Sequence, residues 1–130
     1  MKKSILFGLI ILCAMLVAVS TSNAYEILID VSPNVLNLQS SGTVVTVHTN
    51  VDYNTVIASS VFLNGVPIYF YKSDDRGYFV AKFVMDDVKD LPLIIGELNT
   101  LLLVGVTDDG LAFTGTQDIK VISIIPRGQK

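Results

Sequence analysis

The chain has no tryptophan, one cysteine and one histidine in 130 residues. Each scarcity closes off a class of chemistry. His48 alone cannot furnish a histidine-rich metal site, and a single Cys13 cannot furnish a thiolate zinc site. A Ser–His–Asp triad would have only His48 to draw on. Ser59 and Ser60 also lack the flanking glycines and strand–turn–helix setting of a nucleophile elbow. Basic residues are outnumbered, nine Lys and Arg against twelve Asp and Glu. That balance repels a phosphate backbone, so no nucleic-acid partner is expected. Between residues 25 and 125 no stretch sustains a 3.6-residue apolar period, which argues against long amphipathic helices.

What is present starts with a positive end and a greasy one. Lys2 and Lys3 precede an apolar run over residues 5–19, and residues 20–24 are polar with small side chains at Ser22 and Ala24. This is the layout of a secretory signal peptide, with cleavage expected after Ala24. The run falls short of the roughly 20 residues a spanning helix needs, so no stable membrane insertion is expected once the leader is gone. Cys13 follows Leu12 and has further apolar sequence after it, unlike a lipid-attachment cysteine, which follows a small residue at the end of such a run. The expected organisation is a signal peptide at 1–24 and one domain at 25–130, secreted to the periplasm, the cell surface or beyond. Without Lys2 and Lys3 the chain keeps seven basic residues against all twelve acidic ones, a net charge of −5 that favours solubility. It then has no cysteine, so its core alone must hold it together.

The remaining sequence reads as short β-rich runs parted by turn signals every eight to twelve residues, an all-β pattern. Tyr25, Ile27, Ile29 and Val31 alternate onto one face, and Pro33 ends that strand. Strands are expected at 35–38, 43–49, 61–63, 66–71, 78–85, 100–107, 111–114 and 118–125. Residues 50–60 read as a crossing loop with room for one helical turn, and 86–99 as a connector with at most another. Asn64-Gly65 between apolar runs predicts a type I′ hairpin, and Pro67 makes its return arm an edge or a bulge. Further turns are expected at 73–77 and at Asp108-Asp109-Gly110. Pro126 stops the last strand, leaving a polar tail. Seven to nine strands in about 100 residues suit one β-sandwich of immunoglobulin-like size.

One stretch is more specific. Gly105, Asp109-Gly110, Phe113 and Gly115, followed by Asp118-Ile119-Lys120-Val121-Ile122, resemble the closing hairpin of bacterial secreted immunoglobulin-like modules found in cell-surface and extracellular proteins. Residues 30–38, 57–60 and 61–66 resemble the opening, the segment before the third strand and the Leu-Asn-Gly hairpin of those modules. The resemblance implies an immunoglobulin-like sandwich with a spacer or adhesive role. Here the module follows its leader alone, which does not suit a spacer. Members of that family often carry a calcium-like Asp-x-Asn-x-Asp-Gly loop. At the matching place this chain has only Asp74-Asp75-Arg76-Gly77, too few oxygen ligands for calcium. No cofactor and no metal is expected.

The carboxylate pairs Asp74-Asp75, Asp86-Asp87 and Asp108-Asp109 are sequence neighbours in turns. Such neighbours do not face each other across a substrate as glycosidase acids must. The functional expectation is therefore a non-enzymatic structural or interaction protein acting through protein–protein contacts, with a self-assembling surface fibre built by strand addition as one form of it. Its candidate partner-contact residues are Tyr25, Ile27 and Ile29 on the first strand and Tyr69, Phe70 and Tyr71 on a later one. The reason is that the later strand carries large side chains on both faces, and a freed first strand could add to another sheet. The alternatives are a carbohydrate- or small-ligand-binding module, using Tyr69, Tyr71 and Tyr78, or an accessory subunit of an envelope complex.

Overall fold

The structure, a computed structural model, describes residues 24–126. Residues 1–23 of the expected signal peptide, Cys13 among them, and the expected tail at 127–130 lie outside the described residues. In chain order the elements are β1 (Ala24–Glu26), β2 (Ile29–Ser32), β3 (Val35–Asn37), β4 (Val44–Asp52), a 3₁₀ turn (Tyr53–Thr55), β5 (Val56–Leu63), β6 (Val66–Pro67), β7 (Phe70–Ser73), β8 (Tyr78–Val84), α1 (Met85–Lys89), β9 (Leu98–Thr107) and β10 (Ala112–Ile122). They form two sheets. The larger runs β1-β10-β9-β5-β6, with β3 also on β10, and the smaller runs β2-β4-β8-β7. The fold is an all-β sandwich.

Alternation places the core. Phe79, Ala81 and Phe83 of β8 and Val45 and Val47 of β4 point inward from the smaller sheet. Leu101 and Leu103 of β9, Phe113, Ile119 and Val121 of β10, and Val61 and Leu63 of β5 meet them from the larger one. Each large apolar side chain fully withdrawn from water contributes about 1.5–3 kcal/mol, so this shared layer is what holds the sheets together. Among the described residues no buried side-chain polar atom lacks a hydrogen bond. At one end α1 turns Met85 and Val88 into the core, and Lys89 Nζ donates to the Ser40 carbonyl at 2.7 Å.

Each side of the sandwich is crossed by a segment that changes sheets. On the first side β1 pairs parallel with β10, β2 leaves to pair antiparallel with β4, and β3 returns to β10, again parallel. The Ser32–Pro33 peptide between β2 and β3 is cis. The departing chain passes directly over Gly115, where a Cβ would stand 2.6 Å from Ile29 Cγ2 and 3.1 Å from Ile27 Cγ1. On the second side Asn64 (φ 48°) and Gly65 (φ 84°) make the type I′ turn into β6. The chain then crosses at Ile68-Tyr69 to become β7 on β8.

Several expected boundaries differ. The strand expected over residues 25–31 keeps its alternation but is split between the two sheets as β1 and β2. Residues 111–125 are not two strands but the single β10, ending at Ile122. Gly115-Thr116-Gln117 is ladder rather than loop, because the glycine clears the crossing chain. The arm expected at 66–71 is split between two sheets as β6 and β7. β4 runs on to Asp52 and the 3₁₀ turn follows it. β5 starts at Val56 rather than 61 and contains a bulge: Ile57 lies opposite Val106 and Phe62 opposite Val104, so four residues of β5 face one of β9. The Ser60 hydroxyl fills the gap, accepting from the Val106 N–H at 2.8 Å and donating to the Ile57 carbonyl at 2.6 Å.

Candidate functional site

The six candidate contact residues fall on opposite sides of the sandwich and are not brought together. Ile27 is only 8 % exposed and belongs to the core, and Ile29 packs half-buried beside it against Gly115. Tyr25 is 39 % exposed and lies over Phe113, with ring centroids 6.4 Å apart. Strand β1 pairs within its own sheet, by Tyr25 opposite Phe113. The first strand is thus occupied at home.

The second side is more open. Tyr69, Phe70 and Tyr71 are 66 %, 53 % and 45 % exposed, and all four residues of β7 are solvent-accessible. Pairing fixes their directions: Tyr71 lies opposite the inward Ala81, and Phe70 opposite Lys82, which faces outward. Tyr71 accordingly stacks on Phe79 at 6.0 Å and nearly parallel, with Tyr53 6.4 Å away, so its ring seals the end of the core. Phe70 and Lys72 point out to solvent.

A larger uncovered surface was not singled out from sequence. On β9 the even-numbered residues 98–106 face away from the core, and Leu98 and Leu102 are exposed. Beside them on β5 stand Ile57, opposite Val106, and Phe62, opposite Val104, both exposed. The result is an apolar band across the outer face of the larger sheet, rimmed by Glu26, Asp118 and Lys120. The signal for it was present: residues 101–106 are apolar at every position instead of every second one. Such a run is expected where both faces of a strand are covered, yet among the described residues only one is.

The polar chemistry lies at the loop end. His48 sits in a cross-strand row with Asp30, Val80 and Lys72, a row without serine or cysteine. Beside it an open depression of about 480 Å³ is lined by Leu28, Asp30, Asn50 and Arg76. A second of about 500 Å³, lined by Asp52, Tyr53 and Asn54, shares the Arg76–Tyr78 wall. The Arg76 guanidinium lies 5.4 Å above the Tyr78 ring and occupies its face.

Two of the three aspartate pairs have one carboxylate bonded within their own turn. Asp74 Oδ1 accepts from the Tyr78 N–H at 2.9 Å and the Arg76 N–H at 2.8 Å. Those bonds, the Tyr78 one foremost, hold its carboxyl below the ordinary 3.8, with help from the charges of Arg76 and His48. Asp109 is lowered chiefly by the Thr107 hydroxyl, which donates to it. Asp86 and Asp87 occupy the first turn of α1, where carboxylates favour the helix dipole. Among the described residues no three His, Cys, Asp or Glu are grouped to hold a metal, and no helix is long and apolar enough to cross a membrane. No protein-family model, no curated protein and no solved structure matches the chain.

Proposed function

We propose that this chain is an exported, non-enzymatic immunoglobulin-like module that works by binding other proteins. The immunoglobulin-like reading is supported by strand order. Taking β2, β4, β5, β7, β8, β9 and β10 as seven successive strands, the first, second, fifth and fourth share one sheet, and the third, sixth and seventh the other. That is the constant-type immunoglobulin division. Export is supported by the charged, apolar and small-residue sections of residues 1–24.

The observation that carries the functional reading is the apolar outer face of the larger sheet. Ile57 beside Val106, and Phe62 beside Val104 and Leu102, form an apolar patch that no other described residue covers, with Leu98 exposed farther along β9 beyond Thr100. Contiguous exposed apolar patches rimmed by polar residues mark contact surfaces. Contact through a face also suits the first strand better than donation does, since that strand is already built into its own sheet. Two of the three candidate tyrosines are turned away from sugar stacking, Tyr71 onto Phe79 and Tyr78 under Arg76, and Tyr69 stands exposed.

The test is association of the purified exported chain, by light scattering and by recovery of partners from its native host, for wild type and Phe62→Glu. Loss of association or partner by about tenfold or more in the variant is expected, since a hot-spot aromatic carries over 1 kcal/mol. Equal behaviour of the two, or turnover of a substrate that depends on His48 or an aspartate, defeats the reading.

A further inference from the structure

Strand β7 has one paired edge and one free edge, and the phase of its ladder says which residues serve each. Asp74 donates its N–H to the Tyr78 carbonyl at 2.9 Å across the hairpin. Hydrogen-bonded and non-bonded pairs alternate along an antiparallel ladder. Lys72, opposite Val80, and Phe70, opposite Lys82, therefore turn their backbone groups toward β8. Tyr71 and Ser73 turn theirs away, to the side where the order β2-β4-β8-β7 ends. An unpaired edge of this kind is a template for an added strand.

The side chains choose what can be added. On the outward face of that edge stand Phe70 and Lys72, with Lys82 in the row beside Phe70 donating to Thr46 Oγ1 at 3.1 Å. Lys72 has no carboxylate partner among the described residues. A second copy laid antiparallel on β7, in the register that joins Tyr71 to Ser73 in both directions, would set Lys72 directly against its own counterpart. Like charges directly opposite destabilise a pair of strands, and lysine is the residue that commonly guards an edge against self-pairing. The same lysine attracts a strand with a carboxylate at that position.

We propose that β7 is a receiving edge for an extended segment of another protein, one presenting an acidic side chain opposite Lys72. This rests on the reading of the chain as a protein-contact module, but uses a surface separate from the outer face of the larger sheet.

The chain itself supplies the probe. In the variant Lys72→Glu, β7 keeps its free backbone groups and carries an acid where the edge calls for one. Wild type alone and K72E alone are expected to stay monomeric through this edge. Their equimolar mixture should associate about tenfold more tightly than either alone, more weakly as salt rises. In the mixture the Tyr71 and Ser73 amides should gain protection from hydrogen exchange. Tyr71→Pro removes an N–H that the ladder with β8 does not use, and in either partner it should abolish association while leaving thermal unfolding cooperative.

A mixture no tighter than its components overturns the proposal. So does wild type pairing with itself with protection at Tyr71 and Ser73, which would make a second copy the occupant. If the mixture fails while Phe62→Glu still abolishes partner binding, the edge is refuted and the face stands. If the mixture associates and Phe62→Glu changes nothing, the face is refuted and the edge stands.

Discussion

The two sides of the sandwich meet the same geometric problem and meet it differently. Each is spanned by one segment that belongs to both sheets, residues 24–37 on the first side and 66–73 on the second. On the first side the crossing chain is tied down by side chains: Gln117 Oε1 accepts the Val31 N–H at 2.8 Å, Asn50 Oδ1 the Leu28 N–H at 3.0 Å, and Asn37 bonds both backbone groups of Ile124. Ile27 and Val31 reach the core through it. On the second side β6 is two residues long and β7 ends its sheet without a further partner, its aromatics half in water. An edge can thus be closed by polar ties from the neighbouring sheet or left open under guard of a lysine. Recognition is to be sought where the ties are missing.

That contrast can be broken by experiment. Ile27→Ala, on the tied side, should cost about 2–4 kcal/mol in urea unfolding, whereas Tyr69→Ala should stay within about 0.5 kcal/mol. Equal costs would erase the distinction. Gly115→Ala thrusts a Cβ into Ile29 and Ile27 and should destabilise by about 1–3 kcal/mol; an unchanged midpoint would mean the crossing chain is looser than its contacts suggest. Gln117→Ala should cost about 1 kcal/mol and speed hydrogen exchange at Val31, while exchange at Tyr71 and Ser73 is already fast in the wild type. The smallest effect concerns the turn that launches β8. Because its carboxyl titrates lower in the folded chain than in the unfolded one, Asp74 stabilises the fold above about pH 4. That contribution fades as pH falls through the lowered folded-state value. The gap in melting temperature between wild type and Asp74→Ala should therefore narrow on acidification below pH 4. A gap that widens there would reverse the assignment.

Much of this was legible before any coordinates. The alternation of Tyr25 to Val31, the Asn64-Gly65 hairpin and the single turns at 53–55 and 85–89 all follow from local pattern. What escaped was set by contacts distant in sequence. Gly115 reads as a turn former until the chain passing over it is seen. Ser60 reads as loop until its hydroxyl is found in the β5–β9 ladder. The crossing at Ile68-Tyr69 has no local mark, because a strand can leave one sheet for another without changing its own conformation. The outer face of β9 was written in an uninterrupted apolar run, but periodicity alone cannot say whether the second face of such a strand is covered.

The parallel seating of β1 and β3 on β10 has a consequence for how the molecule comes to be. Ala24 finds its place at Ala112 and Val35 at Lys120, some 85 to 90 residues along the chain. Neither short strand has a partner in its sheet until β10 exists, so the larger sheet is completed only when nearly all of the polypeptide has emerged. Closing so wide a loop is slow compared with forming local hairpins. The smaller sheet, complete by Val84, can form first, and the larger one closes last.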